Sequence, residues 1–452
     1  MREHRPVIPA IVRQDNFVKQ MLSSNAVAAK ETNIGRLATA SLVGTTLEWY
    51  DFTIYNTLAA LVFNRLFFPS FDPLTGTLLA FSTYAVGYIS RPFGGIIFGH
   101  LGDKVGRRAV LVITLVCMGV TSAAIGLLPT YESIGVSSAI LLVTLRFLQG
   151  VALGGEWAGA VLIAVEHGDQ RKRGQNASWT QCGPGLGILL GTGCLALATA
   201  VVSADEFVAW VWRVPFALSI VLVIFGLWIR RGVEETPMFK ELEETGKKAK
   251  APVGEIVRFH WTRMLRAGGV RVGTDVVYTL ALVFTLTYVT TILNLSRTLA
   301  LTSIMIGTVF NAATMPMFGA LSDRIGRRPV YAAGAVLSIP YAFAYFALLD
   351  TKQPLMIIIG IVIGAILHAA MYGPQAAFIV EQFPTRVRYA GASLSYTLAG
   401  IIGAGVAPLI LVSLLRAYGT TTSLSIYTIL SVCVTCVVLL LSRETGKSPL
   451  QE

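Results

Sequence analysis

Long apolar runs alternate with short polar segments along the chain. Twelve runs hold enough apolar residues to cross the hydrocarbon core of a bilayer, which takes about 20 residues of helix. The runs lie near 36–62, 76–100, 109–128, 138–166, 175–201, 212–230, 267–293, 299–321, 329–349, 354–382, 389–416 and 422–442. The pattern predicts an all-α membrane protein with twelve transmembrane helices.

A charged segment separates the sixth run from the seventh and divides the chain into two halves. Its residues are rich in Glu, Lys and Arg, so we expect a linker outside the membrane, with charges that are solvated or contact lipid head groups. The predicted organisation is a tail over 1–35, a six-helix bundle over 36–230, the linker over 231–266, a second six-helix bundle over 267–442 and a tail over 443–452.

Basic residues concentrate in alternate turns between the runs. The turns after runs 2, 4, 8 and 10 hold clusters of Arg and Lys, whereas the other turns hold little beyond Arg65, Arg297 and Lys352. Lys and Arg are retained on the cytoplasmic side of a membrane, so both tails and the linker are expected in the cytoplasm. The net charge of +11 reflects this topology, and nucleic-acid binding is not expected.

Composition agrees with a membrane protein. Charged residues make up 13% of the 452 residues, about half the share of a soluble domain, and the mean hydropathy is +0.66. The five cysteines lie in or beside apolar runs. The sequence shows no metal-ligand cluster, nucleophile triad or phosphate-binding loop, so neither catalysis nor a cofactor is expected.

One motif occurs in both halves. GHLGDKVGRR begins at Gly99 and GALSDRIGRR begins at Gly319, at the ends of runs 2 and 8. These equivalent places indicate a duplicated six-helix unit. The twin motif resembles the signature loop of the major facilitator superfamily. TTLEWYDFTIYN (45–56), RFLQGVALGGEWAGA (146–160) and YGPQAAFIVEQFPTRVRYAGASLSY (372–396) are similar to its metabolite:proton symporter branch.

The resemblance covers nearly the whole chain after residue 35. It implies a monomeric, multi-pass protein of a bacterial inner membrane, with two bundles related by a pseudo-twofold axis. Its implied activity is uptake of a small organic acid, shikimate-like or a di- or tricarboxylate, together with a proton by alternating access. Export of a drug or metabolite by proton antiport is an alternative, and a membrane enzyme or channel is a more distant one.

Ionisable side chains within the runs are candidates for proton coupling and substrate binding, because such groups are costly in lipid and must face protein or water. Glu48 and Asp51 share a face of the first helix, where mutual repulsion favours a bound proton on one of them. An ion pair with Arg91 or Arg146 is the alternative. Both arginines stay charged, and the resemblance places Arg146 in a motif linked to proton coupling.

Helix 7 carries a second candidate, Arg271 and Asp275 one turn apart, with Tyr278 on the same face. They form either a closed ion pair or a breakable one, in which a substrate carboxylate takes Arg271 and a proton takes Asp275. Gln181 on helix 5 is expected to face the cavity, beside a Gly/Pro cluster that loosens the helix.

Helix 10 carries a third candidate. His368, Tyr372 and Gln375 follow i, i+4, i+7 spacing, and Gly373 with Pro374 is expected to break the helix beside them. A histidine buried in the core without a role in transport is the alternative for His368.

Charged residues of the loops are candidates for a cytoplasmic gate. Asp103 and Asp323 end helices 2 and 8, where a carboxylate can meet the positive N-terminal end of a facing helix or the neighbouring arginines. The resemblance implies latches that hold the outward-open state, and a purely topological role for the motif is the alternative. The expected members are Asp103, Arg107, Arg108, Glu166, Arg173, Asp323, Arg327, Arg328, Glu381 and Arg386.

Overall fold

The computed structural model of the chain describes residues 34–70, 79, 83, 85–232 and 234–450. Nearly all of the predicted tail over 1–35 lies outside the described residues, as does much of the first part of run 2. The described residues are helical apart from short turns and connecting segments.

Twelve long helices run through the described part of the chain, and they confirm the predicted all-α architecture. Ten of them are long and apolar enough to cross a membrane on length and composition alone. Their bounds are α1 Ile34–Leu58, α2 Arg91–Lys104, α3 Arg107–Gly126, α4 Val136–His167, α5 Arg173–Val201, α6 Val214–Arg230, α7 Trp261–Tyr278, α8 Arg297–Ile325, α9 Arg327–Leu349, α10 Pro354–Glu381, α11 Arg388–Gly400 and α12 Thr421–Leu441.

The linker forms two short helices, Pro237–Glu244 and Pro252–Phe259. Each starts with a proline, which fits the first turn of a helix because its missing N–H would be unpaired there. Phe239, Leu242 and Ile256 are buried and fasten these helices to the bundle. Helix α7 then begins at Trp261 rather than at the predicted residue 267.

Two helices of the second half contain wide turns of π-helix. Helix α7 continues as π-helix over Thr279–Phe284 and again over Tyr288–Ile292. Helix α11 continues as π-helix over Ile401–Gly405 and resumes as α-helix over Ala407–Tyr418. Such wide turns are frequent at functional sites, and no feature of the apolar pattern predicts them.

The expected break in α10 is wrong. Helix α10 runs without interruption from Pro354 to Glu381 with Pro374 inside it. Neighbouring helices in a membrane bundle can satisfy the backbone groups that a proline frees. Gly373 serves close packing instead, because a Cβ there would lie 2.7 Å from the carbonyl oxygen of Met315 on α8. Helix α5 is likewise continuous through Pro184.

Large apolar side chains cover the outside of the bundle. Leu127, Leu197 and Leu440 are among those exposed, and lipid would cover them. One core cluster contains residues of both halves, including Trp157 and Val161 of α4 with Phe378 of α10 and Tyr389 of α11. It lies towards the end where the α2–α3, α4–α5, α8–α9 and α10–α11 turns meet, and this end is termed the arginine face.

Candidate transport site and gate

Asp51 of α1 is held inside the first half by a chain of hydrogen bonds. Its carboxylate accepts from Ser219 Oγ of α6 and from Ser122 Oγ of α3 at 2.7 Å. Gln149 Nε2 of α4 donates to Ser122 Oγ at 2.7 Å, and Arg146 Nη1 donates to Gln149 Oε1 at 2.6 Å. Arg146 therefore reaches Asp51 through two intermediate side chains, and all five residues are buried.

Arg146 is packed against aromatic rings of α1. Its guanidinium carbon lies 4.0 Å from the centre of the Tyr55 ring and 4.9 Å from that of Phe52. Such stacking stabilises a desolvated cation. The contacts join α4 to α1 within one half.

Glu48 lies in a different environment from Asp51, one turn away on α1. It is buried and within electrostatic range of Arg91, Arg271 and Glu156. No hydrogen bond or ion pair joins Glu48 to another described residue. The expected close pair of carboxylates is therefore not what the structure shows, because Asp51 turns into the first half and Glu48 turns to the interface between the halves.

Arg91, in the first turn of α2, is also at this interface. Its guanidinium carbon lies 4.4 Å from the ring centre of Tyr88 and 5.1 Å from that of Phe52. Its Nε and Nη2 atoms are buried and make no hydrogen bond within the described part of the chain. An arginine with open donors between aromatic rings suits a carboxylate ligand, which it can bind through two parallel hydrogen bonds.

Arg271 and Asp275 of α7 form a buried ion pair across the interface from Arg91. Arg271 Nε lies 2.8 Å from Asp275 Oδ2, and Arg271 Nη1 donates to the carbonyl oxygen of Tyr396 at 2.6 Å. Helix α11 comes close here, because a Cβ on Gly400 would lie 3.1 Å from Arg271 Nη1 and one on Gly403 would lie 2.7 Å from Asp275 Cβ. Gly403 belongs to the π-helical turn of α11, which brings the backbone next to this pair.

Four residues form a closed ring of contacts between the halves beside Arg271. Trp157 Nε1 of α4 donates to Gln181 Oε1 of α5 at 2.8 Å, and Gln181 Nε2 donates to the carbonyl oxygen of Tyr372 on α10 at 3.2 Å. The hydroxyls of Tyr372 and Tyr396 lie 3.0 Å apart. Trp157 stacks on Tyr396 with ring centres 3.7 Å apart. This set is termed the aromatic floor.

Arg271 covers the other side of the aromatic floor. Its guanidinium carbon lies 3.5 Å from the centre of the Tyr396 ring, and the parallel Trp157 ring already occupies one face of Tyr396. Gln181, which was expected to face an open cavity, is fully buried in the floor. A ligand that pulls on Arg271 therefore acts directly on a contact between the two halves.

The helix-10 candidates divide into two groups. His368 stacks on Tyr372 with ring centres 4.8 Å apart and lies 5.0 Å from the ring of Tyr278, so these three residues join the central site. Gln375 accepts from the Tyr331 hydroxyl at 3.3 Å inside the second half. The structure therefore does not bring Gln375 to the other candidates.

The gate carboxylates make equivalent contacts in the two halves. Asp103, at the end of α2, accepts from the backbone N–H groups over 389–390 at the start of α11, at 3.2 and 2.9 Å. Asp323, at the end of α8, accepts from those over 174–175 at the start of α5, at 2.8 and 2.9 Å. Each aspartate lies at the positive end of a helix from the opposite half, where a negative charge is stabilised.

A second acid strengthens the first contact. Glu166, at the end of α4, accepts from Arg388 Nη1 of the other half at 2.9 Å and lies 3.5 Å from Arg107 Nε. Arg107 in turn lies 3.5 Å from Asp103. All four side chains are buried, so the group is a network at the arginine face rather than a set of surface pairs.

The second half repeats this network. Glu381, at the end of α10, lies 3.1 Å from Arg327 Nη2 and 3.4 Å from Arg173 Nε of the other half. Arg327 also lies 2.6 Å from Asp323. The duplicated motif therefore supplies an equivalent network in each half, and both networks join the two halves in this structure.

Arg386 does not belong to the gate. It is exposed and pairs with Glu255 of the linker at 2.7 Å. The residue equivalent to Arg173 is Arg388, one of the basic residues in the turn after run 10. The shared spacing from the end of α4 or α10 to an arginine beginning the next helix was a usable signal.

Arg108 and Arg328 are also not latches between the halves. Their backbone N–H groups donate to Glu235 at 3.1 Å and to Glu444 at 2.8 Å. These two acids, which follow α6 and α12, cap the starts of α3 and α9. They are a further repeated feature that sequence reasoning missed, although ET follows the last helix of both halves.

Glu156 pairs with an arginine of its own half. Its carboxylate lies 2.6 Å from Arg230 Nη2 of α6. This pair neutralises Glu156 inside the first half.

A membrane bundle of two six-helix halves, with buried charges between them and the same gate in each, defines a transporter rather than an enzyme. The chain belongs to the major facilitator superfamily, which confirms the resemblance of the twin motif. Residues 37–256 match the family of sugar (and other) transporters, and residues 273–452 match the family named Major Facilitator Superfamily.

Similar proteins support this assignment. The chain is 37% identical to the inner membrane metabolite transport protein YhjE of Escherichia coli, over 91% of this chain and 94% of that protein. It is 37% identical to the shikimate transporter of the same organism, over 91% and 95%. The structure of the proton:xylose symporter XylE bound to 6-bromo-6-deoxy-D-glucose shares the fold, with a TM-score of 0.76 and 18% identity over 92% of this chain and 97% of that one.

Proposed function

We propose that this chain takes up a small organic acid together with a proton across a bacterial inner membrane, by alternating access. The observation that carries the proposal is Glu48, a buried carboxylate without a direct partner among the described residues, in electrostatic range of Arg91 and Arg271. The names of the shikimate transporter and the proton:xylose symporter agree with an organic-acid substrate and with proton coupling.

The charges at the centre explain why proton and anion would bind together. Arg91 and Arg271 carry two positive charges, and ionised Glu48 and Asp275 balance them. A proton on Glu48 leaves one net positive charge, which attracts a carboxylate into the site. Because the coupling is reciprocal, a bound carboxylate also favours the proton on Glu48. Loss of the proton from Glu48 removes this attraction, so the bound carboxylate is released as well.

Glu48 is a better proton carrier than Asp51 in this structure. The Asp51 carboxylate accepts from two serine hydroxyls inside the first half, so its ionised form is already stabilised there. Glu48 has no such donors among the described residues and faces the charges of both halves. In this assignment the Arg271–Asp275 pair binds the substrate, because a substrate carboxylate competes with Asp275 for Arg271.

The transport cycle follows from the two closed gates. We propose that the arginine face is cytoplasmic and that the structure is the state closed to the cytoplasm. Substrate release to the cytoplasm then requires Asp103 and Asp323 to leave their helix ends while the aromatic floor separates. The proton gradient supplies the drive, with about 2.3 kcal/mol per charge for each 100 mV of membrane potential. A monomer with no cofactor suffices for this cycle.

Proton uptake on substrate binding tests the proposal directly. The purified protein in weakly buffered detergent solution is mixed with shikimate, 2-oxoglutarate, citrate, a monocarboxylate or proline at several pH values from about 6 to 9, and the pH change is recorded. We expect proton uptake on anion binding that increases with pH towards one proton per anion, because Glu48 can take up a proton only where it is ionised in the free protein. Glu48→Gln is expected to bind the same anion without proton uptake, because it already lacks the negative charge.

Two matched variants make the result specific. Glu132→Gln removes an exposed acid at the other end of the molecule and should behave like the unmodified protein. Asp51→Asn should retain proton uptake on binding. Proton uptake that persists in Glu48→Gln, or that disappears only in Asp51→Asn, would contradict the assignment of Glu48.

A further inference from the structure

A cavity of about 780 Å³ lies at the arginine face, apart from the transport site and next to the gate. Two of its lining residues contact gate arginines, because the carbonyl oxygen of Thr385 accepts from Arg107 and the sulfur of Met238 accepts from Arg388. The first linker helix and the segment after it form one wall, and the start of α7 and the α10–α11 turn form the other. It is termed the linker cavity. The proposed transport cycle makes no use of it.

Cations outnumber anions in the lining of the linker cavity. Lys247, Lys248, Arg263 and Arg386 line it, against one carboxylate, Glu241. His260 also lines it, and burial together with Arg263 lowers the pKa of His260, so this side chain is neutral at pH 7. The lining therefore has a net positive charge.

Neighbouring acids neutralise only part of this charge. Lys248 Nζ lies 2.7 Å from Glu243, and Arg386 Nη2 lies 2.7 Å from Glu255. Glu241 is the one carboxylate among the lining residues, against four cations. The Lys247 ammonium makes no hydrogen bond or ion pair with another described residue, which leaves it available to an anionic ligand.

Exposed apolar side chains place the cavity at the edge of the membrane. Val257, Phe259, Trp261 and Leu265 are more than half exposed along the segment that leads from the second linker helix into α7. Tryptophan at a helix end is typical of the membrane–water interface, and apolar residues followed by basic ones are typical of a helix lying in that interface. Arg263, on the same segment, therefore lies at the depth of the lipid head groups.

We propose that the linker cavity binds the phosphate group of an anionic membrane lipid, such as phosphatidylglycerol. Lys247, Arg263 and Arg386 would contact the phosphate, because arginine and lysine are the usual phosphate ligands and basic pockets beside membrane helices bind such head groups. Lys247 belongs to the linker, whereas Arg263 belongs to α7 and Arg386 to the α10–α11 turn. A phosphate bound by all three therefore holds the linker against the second half.

Lipid titration tests this proposal. The full-length protein in detergent is titrated with dioctanoyl phosphatidylglycerol, and binding is followed by thermophoresis. Dioctanoyl phosphatidylcholine and inorganic phosphate are titrated in separate arms. We expect saturable binding of phosphatidylglycerol, no comparable binding of phosphatidylcholine, and a half-saturating concentration at least about tenfold higher for Lys247→Gln/Arg386→Gln.

The variants are matched for folding. Lys247 and Arg386 are exposed, so their replacement leaves the core intact. Arg171→Gln/Lys172→Gln removes two exposed cations from another turn of the same face and should bind like the unmodified protein. Equal loss in both double variants, or none in either, would overturn the site. Binding of phosphatidylcholine with equal affinity, or of inorganic phosphate at the same concentrations, would overturn an anionic lipid as the ligand.

Discussion

The two gate aspartates make equivalent contacts, so removal of either charge should loosen the arginine face to the same extent. Asp103→Asn preserves the shape of the side chain but removes the charge that faces two N–H groups at the start of α11. A buried, charged contact of this kind contributes about 2 kcal/mol. The equilibrium between closed and open gates should therefore shift about 30-fold, and Asp323→Asn should give the same shift.

The two networks share no side chain, so their effects should add. Asp103→Asn combined with Asp323→Asn is expected to shift the equilibrium by about 4 kcal/mol, close to 1,000-fold. If the two gates opened independently, the double variant would shift the equilibrium of each gate no further than the matching single variant does.

A native cysteine reports this opening. Cys182 of α5 is buried, with its Sγ 3.4 Å from the carbonyl oxygen of Ala312 on α8 in the other half. With the other four cysteines replaced by serine, the rate of maleimide labelling at Cys182 follows the open population. We expect labelling about 30-fold faster in each single variant.

The control for this assay is Asp169→Asn. Asp169 is an exposed acid in the α4–α5 turn, and its side chain accepts a hydrogen bond within that turn, from the N–H of Arg171. Its replacement should leave the labelling rate unchanged. The reasoning is refuted if neither gate variant speeds labelling, or if one does and its counterpart does not.

Two further variants test the contacts between the halves. Gly403→Ala should weaken anion binding at least about tenfold, because a Cβ there lies 2.7 Å from Asp275 Cβ and displaces the ion pair. A binding titration checks this prediction. Gly193→Ala is the control, because a Cβ there meets no atom within 4 Å. Equal affinity in the two variants would contradict the prediction. Trp157→Phe keeps a ring on the aromatic floor but leaves Gln181 Oε1 without its donor, at a cost of about 1–3 kcal/mol. Labelling at Cys182 should accelerate accordingly, and an unchanged rate would show that the floor does not hold the halves together.

Much of the gate is predictable from the repeated motif. The position of Asp103 and Asp323 at the ends of helices predicts a meeting with a positive helix end, and both aspartates lie there. Arg107, Arg173 and Arg327 were also expected in the networks and lie there, whereas Arg386 was expected in the place that Arg388 occupies. Arg386 and Arg388 are two residues apart, and only the helix start at Arg388 turns its side chain into the bundle towards Glu166.

The central site was harder to predict, because it depends on directions that spacing does not determine. Glu48 and Asp51 share a helix face by spacing, yet serines on α3 and α6 draw Asp51 into the first half. The π-helical turn over Ile401–Gly405 changes which residues of α11 meet α7. Gly403 is one of many glycines in apolar runs, and nothing in the sequence marks it as the neighbour of Asp275.

Gly373 and Pro374 show a related difficulty. A Gly–Pro pair would end a helix in water, whereas within a packed bundle it remains helical because neighbouring helices satisfy the backbone. The irregular turns of the second half occur instead in α7, where no proline lies near them, and in α11 just before Pro408.

Transport in proteoliposomes tests the proposed symport most directly. The purified protein is reconstituted, and uptake of labelled shikimate, 2-oxoglutarate, citrate, a monocarboxylate and proline is measured with an inward proton gradient, with and without an uncoupler. We predict that one organic acid accumulates, that the uncoupler abolishes accumulation, and that Glu48→Gln abolishes it too. If none of these compounds accumulates, but a preloaded compound leaves the vesicles in response to the proton gradient, the chain is an exporter and the proposed uptake is wrong.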